Sequence, residues 1–234
     1  MLVDAVRVPT PAAIALDLPQ KLWVMAQSAK CPQKRRLPLA QTALMLELLL
    51  NVPLRLANVA SLSFGRHISW PAGAKGKAWL LIPGSETKTG QAFEAELGGE
   101  LVCMLKTYRD KIVPKLTGKR YDAIFIDIRG RQKLPTTIAD LFTATTHQHL
   151  GFPVTPHQMR HVAGKLLVDA EPGAFELVKQ LLGHSNLKTT VAFYTGLDTS
   201  RAVRHHNKLI EETRANRGPK RGEGGKARRA EGDE

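Results

Sequence analysis

From Pro38 to Leu50 the chain reads PLAQTALMLELLL, apolar at almost every position, which predicts a helix central in the core. Pro53 punctuates that run and opens a second, shorter helix through Ala60 that carries Arg55. Ahead of the run, Asp17-Leu18-Pro19 starts a helix to about Ala29 with Leu22, Val24, Met25 and Ala26 as its apolar members. Cys31-Pro32-Gln33-Lys34-Arg35-Arg36 reads as a basic loop between the two helices, and residues 1–17, with Pro9 and Pro11, as an irregular lead-in.

From Arg66 to Leu97 the period changes. His67–Trp70, Ala78–Ile82 and Gln91–Leu97 read as three short strands, with Gly73, Gly76, Pro83, Gly84 and Gly90 at the turns and Lys88 in the second turn. A helix over Gly99–Val113, a short strand over Ala123–Ile128 and a helix over Thr136–His149 follow. Thr155-Pro156 then opens a helix, Thr as cap and Pro in the first turn. Gly183 ends the next helix, Ser185-Asn186 caps another, and Leu197–Thr213 reads as helical. Arg214–Glu234 has almost no apolar residues and is expected to be disordered. The pattern predicts a mainly α fold with a small three-stranded antiparallel β-sheet (α+β).

Composition adds a partner class. A 234-residue chain that is 43% hydrophobic can bury a substantial core. The formal net charge is +13, and the tail from Arg214, with seven basic and four acidic residues, accounts for little of it. A basic body suits a polyanion, most simply a nucleic-acid backbone. Cys31 and Cys103 have neither disulfide nor zinc spacing, which points to a reducing compartment. The longest apolar run, Ala43–Val52, is broken by Glu47 and Asn51 and is too short to span a bilayer. The expectation is a soluble, cytoplasmic protein with no membrane partner.

The chemistry gathers between Thr155 and Gly196. His157 and Arg160 stand three apart on one helix, His184 follows Gly183 in a turn, and Tyr194 ends the next short helix. Two histidines, an arginine and a tyrosine from one helical block are equipment for handling a phosphate. Taken singly, each has a plainer use, such as a surface or core histidine or a tyrosine at the rim of a core, and Lys88 alone reads as a solvated turn lysine. His147, His149, His205 and His206 lack such an ordering and read as ordinary surface residues.

Together with Val52-Pro53-Leu54-Arg55 and Thr87-Lys88-Thr89-Gly90, this block resembles the catalytic domain of the tyrosine recombinases, the phage integrase family. The resemblance covers about Leu18–Leu209 and includes the His157–His161 stretch, Leu182–Ser185, Thr189-Thr190 and Tyr194. It implies DNA strand cleavage and rejoining through a 3′-phosphotyrosyl intermediate, in site-specific recombination or integration of a mobile element. Arg55 and Arg160 would clamp the non-bridging oxygens. His157 would take the phenolic proton or bond the phosphate, and His184 would bind a non-bridging oxygen. Lys88, on a mobile hairpin tip, would be the general acid and Tyr194 the nucleophile. No metal, nucleotide or small-molecule substrate is implied. The partners would be double-stranded DNA and further copies of the chain in a synaptic tetramer.

The expected organisation is a catalytic domain over 18–213 and a charged tail over 214–234. With 54 residues ahead of Arg55, the family's amino-terminal core-binding domain is expected to be absent. Asn58 stands where the family carries an acidic residue, and the gap from His184 to Tyr194 is about one residue longer than usual. A type IB topoisomerase shares the constellation, and an inactive DNA-binding relic of an integrase is the alternative from another class.

Overall fold

The structure is a computed structural model that describes residues 11–71, 77–171, 174–182 and Ile210. The elements named here belong to Met1–Val191, the first of the two compact units into which the chain divides. Its axis is α2 (Gln33–Asn51), in which Leu37, Leu39, Ala40, Ala43–Leu46, Leu48 and Leu49 are all buried. This helix starts before the expected Pro38, so the basic stretch is its first turn rather than a loop. Arg36 accounts for the difference: its guanidinium donates to the carbonyls of Cys31 (3.1 Å) and Ser28 (3.0 Å), closing the corner with α1.

Helix α1 (Pro11–Gln27) likewise begins within the stretch expected to be irregular. Its buried face is Leu18, Leu22, Trp23 and Ala26, at helical spacing, and of the apolar members named from the sequence Val24 and Met25 face outward. After α2 the chain is extended from Val52 to Arg55. Val52 and Leu54 are buried, so α3 (Leu56–Ser61) starts later than Pro53 suggested and Arg55 becomes its N-cap residue.

A one-turn helix, α4 (Phe64–His67), leads into β1 (Ile68–Ser69), which is shorter than the expected strand because His67 closes the helix. β2 (Ala78–Ile82) and β3 (Phe93–Leu97) complete a three-stranded antiparallel sheet in the order β1-β2-β3, with Ile68 opposite Leu80 and Leu80 opposite Ala95. Ala78, Leu80 and Ile82 turn into the core at the strand period. The expected fold class, mainly helical with this small sheet, is what the structure has.

Helix α5 (Gly99–Thr107) continues through a π-helical turn, Tyr108–Ile112, into α6 (Val113–Thr117), past the expected end at Val113. Tyr108 is fully buried in that turn. Its hydroxyl donates to the Ile124 carbonyl (2.9 Å) and accepts from Gln41 Nε2 (2.8 Å). Gln41 also donates to the Ile126 carbonyl (2.8 Å) and accepts from Lys133 Nζ (2.6 Å), so the buried polar group in α2 is fully partnered. The strand expected at Ala123–Ile128 is instead a pair of isolated bridges, Ser63 with Ala123 and Ile126 with Gln132. Ile124, Phe125 and Ile126 are buried in succession, so the segment plugs the core rather than presenting two alternating faces.

Helices α7 (Pro135–Leu150), α8 (Pro156–Ala170) and α9 (Phe175–Leu182) follow. The expected helix at Leu197–Thr213 and the disordered tail lie outside the described residues, Ile210 apart. No helix among the described residues is long and apolar enough to cross a membrane.

Candidate active site

Three elements far apart in sequence build one cleft of about 880 Å³. The first wall is the extended turn after α2. Buried Val52 and Leu54 fix the backbone there, which leaves Arg55, half-buried, directed into the cleft at the start of α3. The second is the β2–β3 turn, which brings Thr87, Lys88 and Thr89. The third is the α8–α9 pair, which brings Arg160, Lys179 and the end of α9.

Arg160 is placed by a strong local signal. Thr155 and Gln158 form a reciprocal capping box, with Thr155 Oγ1 accepting from Gln158 N (3.2 Å) and Gln158 Oε1 accepting from Thr155 N (2.8 Å). Arg160 follows in the first turns and is only 7% exposed. Its Nη2 donates to the Leu182 carbonyl (2.8 Å), which satisfies one of the acceptors left open at the end of α9. The arginine therefore holds α8 and α9 together while its guanidinium lies in the cleft wall.

His157 behaves differently. It is exposed, and its Nε2 lies 3.1 Å from Nε2 of His161, one turn on, with the rings edge to face at 4.6 Å. One of the two must carry its proton on Nε2. Of the predicted site residues, the structure brings Arg55, Lys88 and Arg160 to one cleft and places His157 outside its lining. His184 and Tyr194 lie outside the described residues. Lys179 was missed by sequence reasoning. It lines the cleft and pairs with Glu176 at 3.0 Å, and nothing in the amphipathic stretch FELVKQLL marks it out.

The Lys88 turn, expected to be a mobile tip, is tied down. Thr87 N donates to the Gly84 carbonyl (3.1 Å) and Gly90 N to the Thr87 carbonyl (3.3 Å). The Thr87 hydroxyl lies 2.8 Å from the Gln91 carbonyl and 3.1 Å from that of Gly84, with one hydrogen to give. A Cβ at Gly84 would meet the Gly90 carbonyl oxygen at 2.3 Å, so the mouth of the turn closes only on glycine.

The other two tyrosines are committed elsewhere. Burial raises the Tyr108 hydroxyl above the ordinary tyrosine range, and its bonds run to Gln41 and Ile124. Tyr121 packs against Gly130, whose φ of 82° and lack of a side chain admit the ring. Neither lines the cleft.

The comparisons agree with this architecture. A family model described as the phage integrase family matches residues 26–201, and the chain belongs to that family. The tyrosine recombinase XerC of Serratia marcescens is 28% identical over 155 residues, which is 66% of this chain and 47% of that protein. The chain thus spans about half the length of the XerC relatives it matches. Among solved structures, the fold is similar to that of the XerH site-specific recombinase bound to difH substrate. That match has a TM-score of 0.56 and 19% identity, over 81% of this chain and 52% of that one. The XerA recombinase gives a TM-score of 0.54 and 18% identity, over 88% of this chain and 63% of that one.

Proposed function

We propose that this chain cleaves and rejoins double-stranded DNA through a 3′-phosphotyrosyl intermediate, in site-specific recombination or integration. The observation that carries the reading is the meeting of Arg55, Lys88 and Arg160, from three separate elements, around one cleft. Two arginines suit the two non-bridging oxygens of a phosphodiester, because a planar guanidinium offers paired donors and stays charged. Fixed charge of this kind stabilises the crowded phosphorane that forms during attack.

In the proposed step a tyrosine Oη attacks phosphorus and the P–O5′ bond breaks. The electron pair left on O5′ takes a proton from Lys88 Nζ, giving a 3′-phosphotyrosine and a free 5′-hydroxyl. Rejoining reverses the step, and the bond energy is kept in the phosphotyrosine. With Tyr108 buried and Tyr121 held away from the cleft, Tyr194 is assigned as nucleophile. His184 is assigned to a phosphate oxygen. His157 is assigned to the phenolic proton or to the phosphate edge, and its exposure beside His161 suits contact with bound DNA.

The proposed setting is the cytoplasm, with copies of the chain assembled on DNA as a synaptic tetramer. Incubation with supercoiled plasmid in a chelator tests the reading: nicked or relaxed circles with protein covalently attached support it. Binding without any strand break would favour the inactive relic. Relaxation without partner exchange between two duplexes would favour a topoisomerase.

A further inference from the structure

We propose that Glu86 is a positioning residue, anchoring the turn that carries Lys88 to α4 through its carboxylate and to α3, the helix that follows Arg55, through its carbonyl. The inference rests on the reading of Lys88 as the general acid. The last ladder pair of the hairpin is Ile82 with Phe93, so residues 83–92 leave the sheet. Lys88 to Ala92 are exposed, and burial contributes little to holding them. The bonds within the turn set its shape but not its place relative to the cleft.

Three groups from α3 and α4 converge on Glu86 and do set that place. Asn58 Nδ2 donates to the Glu86 carbonyl at 2.8 Å, and His67 Nε2 lies 3.0 Å from the carboxylate. The Arg66 guanidinium pairs with the same carboxylate. His67 is only 2% exposed, and its Nδ1 accepts from Ser63 N at 3.0 Å. Nδ1 must therefore be bare, and Nε2 carries the hydrogen that goes to Glu86. A buried, fixed donor holds more firmly than Arg66, which is largely in solvent.

Asn58, at the position where the family usually carries an acidic residue, suits this contact. Its partner is a backbone carbonyl, so a donor is required, and a carboxylate there would face an oxygen. Asn58 lies one turn after Arg55, so the Glu86 bond fixes the lysine's turn relative to the arginine on α3.

The test uses the full chain with a nicked suicide duplex whose scissile leaving atom is either oxygen or sulfur. Sulfur departs without a proton, so a defect in acid delivery disappears on it. Lys88→Ala should be slow on oxygen and near normal on sulfur. Glu86→Ala, which removes the bonds to His67 and Arg66 and keeps the carbonyl that Asn58 reaches, should form adduct about 10- to 100-fold more slowly on oxygen and within about threefold of the parent on sulfur. Amide exchange in the peptide spanning 83–92 should quicken while α2 stays unchanged. If Glu86→Ala fails to fold, Asn58→Ala, which removes the bond to the Glu86 carbonyl without adding charge to the cleft, carries the same expectations.

Equal slowing of Glu86→Ala on both substrates, with Lys88→Ala spared on sulfur, overturns the anchor and leaves Lys88 as the acid. Equal slowing of Lys88→Ala on both overturns the reading of Lys88 beneath it. Unchanged exchange in 83–92 overturns the anchor whatever the activity.

Discussion

Arg160 has an observed bond to the Leu182 carbonyl and a proposed place in the phosphate clamp, and substitution can separate the two. Arg160→Ala should cost about 1–3 kcal/mol of stability, since the Leu182 carbonyl loses its donor in a buried setting. Arg160→Lys keeps the charge and one reachable donor, so the fold should survive. Adduct formation should still fall by about 10²–10³, because an ammonium cannot make the paired bonds of the guanidinium. Thermal melting together with single-turnover cleavage would show the split, and an Arg160→Lys enzyme as fast as the parent would remove Arg160 from the clamp. At this scale the sequence singled out Arg55, Lys88 and Arg160, which the fold brings to one cleft, and was silent about their partners. The Thr155 cap and the i, i+3 spacing placed Arg160 on α8, but its bond to Leu182 depends on a second helix. The outward turn of His157 towards His161 was hidden because spacing alone cannot say which flank of a helix is covered.

At the scale of elements, the sheet and the capped helices were legible because their signals are local: alternation over Ala78–Ile82, glycines at turns, a Thr-Pro start. The misread pieces were set from a distance. The basic stretch before Pro38 becomes helix because Arg36 reaches back to α1, and Ala123–Ile126 is not a strand because three consecutive side chains fill the core. The turn after it is held by Asp127, whose carboxylate accepts from the backbone of Arg131 and Arg129, each at 2.9 Å, and from Arg131 Nε at 2.7 Å. The backbone bond from Arg131 leads the causes that hold this carboxyl below the ordinary aspartate range. Its stabilising contribution is therefore present above the ordinary value, near ~3.9, and is lost as pH falls through the lowered one. The melting difference between the parent and Asp127→Asn should shrink as acid is added below that value. A difference that stays constant down to the acid limit would contradict this.

For the whole molecule, the +13 charge and the cleft make one prediction and the chemistry another. Duplex binding should be weakly sequence-selective and fall steeply with salt, with a log–log slope of about −0.9 for each phosphate neutralised. Anisotropy titrations at several salt concentrations measure it, and tight, salt-insensitive binding would contradict a backbone-dominated contact. The central claim is covalent chemistry at Tyr194, and it has a direct measurement. A suicide duplex, nicked so that the short 5′ piece diffuses away, is incubated with the chain in chelator, denatured, digested and mapped. The account predicts an adduct that survives denaturant, maps to Tyr194, and disappears in Tyr194→Phe while DNA binding persists. An adduct on Tyr108 or Tyr121, or an undiminished adduct in Tyr194→Phe, would contradict it.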